Sequence, residues 1–136
     1  MIRSVLAVLA GIATLTATSF AIEAIANPLL LRLFPEALPN AAAIHQNIWV
    51  VLFGHAYSAL CVVAGGYVTA WLAGRSPVRH AVIMGAIQAA LVIPAMLAYP
   101  DLAPVHQWII GMALIVPAAW YGGRLRANAE VHVRTV

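Results

Sequence analysis

The chain has 136 residues, of which 64% are hydrophobic and 8% charged, and its net charge is +3. Soluble domains carry about a quarter charged residues, so seven Arg, three Glu and one Asp cannot surround a soluble core of this size. This excludes a soluble enzyme, a nucleic-acid-binding domain and a second folded domain; a spanning helix takes about 20 apolar residues, and four such helices nearly use up the chain.

The first apolar run covers residues 2–26 and is broken only by Thr, Ser and a late Glu23. Its end, Ala24-Ile25-Ala26, also matches the A-x-A pattern of a signal-peptide cleavage site. The run is longer than a signal core, so an uncleaved first span is expected. Residues 27–47 are expected to form a long outer loop. Asn27-Pro28 reads as a helix start, a capping side chain followed by Pro at the first helical position. Leu29, Leu30, Leu33 and Phe34 would then lie on the membrane surface, with Arg32 and Glu36 toward water. Pro35 and Pro39 interrupt this helix, and Pro39-Asn40 reads as a second cap.

Further apolar runs cover residues 48–74, 81–99 and 105–121, and residues 122–136 read as a short cytoplasmic tail. In lipid, backbone polar groups must be paired within the spanning element, and alternating ten-residue strands are missing from the sequence. The fold class is therefore all-α: one polytopic transmembrane domain, an antiparallel four-helix bundle joined by tight turns at Arg75–Arg79 and Tyr99–Pro104.

Arginine positions set the orientation. Arg3, Arg75, Arg79, Arg124, Arg126 and Arg134 all fall on one face of a four-span chain, with Glu130. Arg32 alone shares the other face with Glu23, Glu36 and Asp101. Basic residues stay cytoplasmic during insertion, so an N-in/C-in protein of the cell inner membrane is expected. The pI near 9.6 then reflects topology anchors and not nucleic acid. Cys61 is the single cysteine, which excludes an internal disulfide and dithiol redox chemistry.

Small residues recur at helical spacing. Ala7, Gly11, Thr14, Thr18 and Ala21 mark the first span, and Gly54, Ser58, Cys61 and Gly65 the second. Because lipid gives helices no hydrophobic drive to associate, such stripes read as packing seams, within one chain or between copies. Gly85 with Ala89, and Ala118 with Gly122, extend the pattern. Ala70-Trp71-Leu-Ala-Gly74-Arg75 and Ala119-Trp120-Tyr-Gly-Gly123-Arg124 share an A-W-x-x-G-R ending, which fits a duplicated helical hairpin but reads better as two convergent cytoplasmic helix ends, since the hairpins align poorly upstream.

Ionisable groups inside a membrane are the first place to look for function. Glu23 lies 18 residues beyond Val5, about 27 Å up a core about 30 Å thick. His55 follows Ile48 by seven residues, about 10 Å below the same interface. Glu23, His55 and Tyr57, with His45 and His106 above them, are expected to line a cavity open to the outer face, and Gln88 is a helix–helix hydrogen-bonding candidate. No facing histidine matches the depth of His55 as a haem ligand, and His45, His106 and Glu36 lack zinc-motif spacing. No metal or cofactor is assigned, and no catalytic residue.

Gly65-Gly66-Tyr67-Val68-Thr69-Ala70-Trp71-Leu72-Ala73-Gly74-Arg75, then Pro77, Arg79-His80-Ala81 and Gly85, resembles a segment of small bacterial four-span membrane proteins without assigned function. The resemblance implies a fold and a location, and no activity. The expected role is a non-catalytic accessory, interaction or small-molecule-binding subunit in a lipid bilayer, alone or with a second copy or a membrane-protein partner. The alternative is a small proton-coupled transporter using the outer-leaflet Glu23–His55 pair.

Overall fold

The computed structural model describes residues 2–134; the side chains of 131–134, including Arg134, and residues 1, 135 and 136 lie outside the described residues. Five helices follow in chain order: α1 (Ile2–Leu33), α2 (Ala41–Ile44), α3 (Ile48–Ala73), α4 (Pro77–Ala98) and α5 (Val105–Arg134). Among the described residues there are no strands. Four of the helices are long and apolar enough to cross a membrane. The protein is an all-α, multi-pass membrane bundle.

α1 does not stop near Ala26. It runs for 32 residues, about 48 Å at 1.5 Å per residue, so the loop expected to begin at Asn27 begins only after Leu33. Asn27-Pro28 is not a helix start: Pro28 sits inside α1. A proline removes one N–H donor, here toward the Ala24 carbonyl, and membrane helices tolerate that loss. The connector then turns through 34–40 with Leu38 buried, and Asn40 caps the single turn of α2 by accepting from the Ala43 amide. Asn47 caps α3, its side chain accepting from the Trp49 and Val50 amides.

α3 ends at Gly74, whose φ of 72° suits a residue without a Cβ. Ser76 follows at φ 48°, and Pro77 opens α4 where its missing N–H costs nothing. The third span, α4, thus begins before the expected Ala81. It ends at Ala98, ahead of Tyr99-Pro100, because a residue preceding proline avoids helical geometry. α5 continues through Pro117 well beyond Tyr121, so the expected tail is helical as far as Arg134.

Around the bundle the order is α1, α3, α5, α4, with α3 and α4 also touching across the middle. Arg3 Nε donates to the Leu72 carbonyl at 2.9 Å, which brings the start of α1 to the end of α3. Gly123 packs on Val78, bringing α5 to the start of α4. Arg3, Arg75, Arg79, Arg124 and Arg126 therefore share one end of the molecule. Arg124 lies over the Trp120 ring at 4.9 Å, and Arg126 pairs with Glu130 at 2.8 Å. Arg32, Glu36 and Asp101 lie at the opposite, acidic end.

The arginine half is tightly packed. A Cβ added to Gly65 would stand 2.7 Å from the Gly11 carbonyl oxygen, and one added to Gly66 would stand 2.5 Å from that of Ala119. A Cβ added to Gly122 would likewise run into the α3 backbone at Val63 and Tyr67. These approaches occur within one chain. Val8, Leu15, Val62, Met84 and Ala119 form the core between them. Thr14 and Thr18 do not bridge helices; their hydroxyls donate to carbonyls of α1 itself, at Ala10 and Thr14.

Candidate small-molecule cavity

The α3 stripe Gly54, Ser58, Cys61 and Gly65 divides into two parts. Its lower members are packed: Cys61 is 4% exposed and Gly65 meets Gly11. Its upper members face open space. A Cβ on Gly54 would meet nothing closer than a Tyr57 ring carbon at 4.0 Å, so Gly54 makes no close helix contact within the chain. The helices draw apart toward the acidic end, and a cavity of about 390 Å3 lies between them. Small-molecule sites occupy about 300–1,000 Å3.

Leu15, Val62 and Ile115 line the floor of the cavity and belong to or pack on the core. Glu23 on α1, His55, Tyr57 and Ser58 on α3, and Gln88 on α4 all line it. Tyr57 Oη donates to Glu23 Oε1 at 3.1 Å, and the Tyr57 ring lies 5.5 Å from that of Phe53. His55 Nε2 is buried with no hydrogen-bond partner among the described residues, and its ring faces Gly111 on α5. A Gly111 Cβ would be in ordinary contact with that ring at 3.8 Å.

Two hydrogen bonds hold the acidic end together. Gln107 Nε2 donates to the His45 carbonyl at 3.1 Å, tying α5 to the C-terminus of α2. Trp108 Nε1 donates to the Ala103 carbonyl at 3.2 Å. His45, Gln107 and Trp108 also line the cavity.

Glu23, His55, Tyr57, His45 and Gln88 are thus brought to one cavity, but His106 is not: it is exposed, and Gln107 takes the inward position. One residue along a helix is a turn of about 100°. The small residues Gly111, Ala118 and Gly122 lie four, eleven and fifteen residues after Gln107, so the seam of α5 is in phase with Gln107 and out of phase with His106. Gln107, Trp108 and Gly111 were therefore legible from that phase. Ser19 and Asn27, which also line the cavity, carried no such signal.

The Glu23 carboxylate is held by Tyr57. Among the described residues no three His, Cys, Asp or Glu side chains gather as a metal site. Compared with protein-family models, with curated proteins and with solved structures, the chain matches none.

Proposed function

We propose that this protein is a non-catalytic small-molecule-binding subunit of a bacterial inner membrane, with both termini cytoplasmic, of the kind its Gly65–Gly85 segment resembles. The cavity carries this reading. A tightly packed bundle needs no void at one end, and a void lined by a carboxylate, a phenol, two imidazoles and three amides is polar enough to orient a ligand. The N-in/C-in orientation rests on the arginines gathered at one end.

Filling the cavity tests the binding role. Gly54 faces open space, so Gly54→Phe places a ring in the cavity without meeting a packed helix. Mass spectrometry of the purified full chain is expected to find a small molecule on the wild type and none on Gly54→Phe, at equal thermal stability. Equal occupancy of the two proteins, or an empty wild type, contradicts the proposal.

One observation favours the transporter as a second reading: Glu23 and His55 line the same cavity, as a carboxylate–imidazole relay requires. Transport also needs a route past Leu15, Val62 and Ile115, which close the floor. Proton flux into liposomes that His55→Ala abolishes would favour transport; no flux from the wild type favours binding alone.

A further inference from the structure

A second hollow, of about 300 Å3, lies beside the cavity at the acidic end. Its lining is apolar but for Asn47: Leu30 at the end of α1, Phe34, Ala37 and Leu38 of the connector, and Trp49, Val50 and Phe53 at the start of α3. Leu30, Val50 and Phe53 line both spaces. They form the border between a polar chamber on one side and a hydrocarbon groove on the other. Phe34, Trp49 and Phe53 are more than half exposed, so the groove is open to the surrounding lipid.

Resting on the binding reading above, we infer that the ligand is a single-chain amphiphile taken from the bilayer, its head in the cavity and its chain in the groove, passing at Phe53. The two spaces adjoin at Leu30, Val50 and Phe53, and together they specify both ends of such a molecule. The groove offers a chain only apolar contact. The chamber offers both acceptors and donors: the second oxygen of Glu23 and His55 Nε2 have no protein partner among the described residues, and Ser19, Asn27, Ser58 and Gln88 supply hydroxyl and amide groups, a mixture that hydroxyls match because they both donate and accept. A head that donates hydrogen bonds satisfies those atoms. A second carboxylate beside Glu23 adds like charge in a low-dielectric space. The head is therefore a hydroxyl-bearing neutral group, as in a monoacylglycerol, and not a fatty acid.

Native mass spectrometry of the delipidated full chain tests this with three probes: monodecanoylglycerol, glycerol and decanoate. The wild type is expected to take one monodecanoylglycerol, to bind glycerol negligibly, and to bind decanoate about tenfold more weakly or less. Ala37→Trp fills the groove from the exposed connector, away from the packed core, and is expected to weaken monodecanoylglycerol about tenfold or more. Glu23→Gln is expected to narrow the gap between monodecanoylglycerol and decanoate, with its fold checked by an unchanged helical circular-dichroism spectrum. Equal binding of decanoate by the wild type overturns the head assignment. Undiminished binding by Ala37→Trp overturns the groove. Failure of all three probes while Gly54→Phe still displaces the co-purified molecule overturns the amphiphile and leaves the cavity as a site; failure of both experiments removes the site itself.

Discussion

The phenol of Tyr57 donates to Glu23 Oε1 at 3.1 Å and joins α3 to α1 where the two helices border the cavity. Their separation of 34 residues makes it a tertiary link, and it is the only side-chain partner of that carboxylate among the described residues. Hydrogen bonds between membrane helices contribute about 0.6 kcal/mol on average and up to about 1.7. A double-mutant cycle of Tyr57→Phe and Glu23→Gln, read by unfolding in detergent, is expected to give a coupling of about 0.5–1.5 kcal/mol. Additive effects of the two substitutions count against the link.

Gly66 and Gly54 stand on the same helix with opposite surroundings. A methyl group on Gly66 meets the backbone of Ala119, which cannot move aside as a flexible side chain does. Overpacking of this kind costs about 1–3 kcal/mol, so Gly66→Ala is expected to lower stability by that amount. Gly54→Ala meets open space and removes backbone freedom from the unfolded chain, for an expected gain of about 0.5–1 kcal/mol. Thermal unfolding of the two variants should move in opposite directions.

Asn47 caps a helix of 26 residues, and Asn40 caps one of four. Losing an Asn cap costs about 0.5–2 kcal/mol. Asn47→Ala is expected to show the larger loss, since its Oδ1 accepts from two amides of α3, at 3.1 and 3.4 Å. Asn40→Ala is expected to loosen the connector locally, with faster amide exchange at Ala43 and little change in global stability.

The fold class was legible because a deficit of charge and four long apolar runs leave few alternatives for a chain of this length. Helix ends were less so. Asn27-Pro28 is a start signal only where no helix precedes it. Here α1 arrives already formed and carries Pro28 through at the loss of one hydrogen bond. The cavity was legible in part: matched depth brought Glu23, His55 and Tyr57 together, but depth says nothing about rotation. Rotation separates exposed His106 from Gln107, and it was recoverable only from the phase of Gly111, Ala118 and Gly122. Spacing alone gave Gly54 and Gly65 the same role, because a stripe does not record where two helices diverge.

The orientation rests on charge and has its own test. Glu36 and Ala129 are exposed at opposite ends of the bundle, and native Cys61 is buried. In intact cells a membrane-impermeant maleimide is expected to label Glu36→Cys and to spare Ala129→Cys until the membrane is opened. The reverse pattern puts the termini outside.

The bundle changes from open to closed along α3, and Ser58 and Cys61 stand on either side of that change, one turn apart. Ser58 lines the cavity and Cys61 is 4% exposed. The most direct measurement is the rate at which a small methanethiosulfonate reagent modifies the two thiols of Ser58→Cys, assigned by peptide mass. Rapid modification at position 58 with Cys61 protected is the predicted result. Equal protection of both thiols, in a folded protein, would contradict the cavity and the binding role built on it.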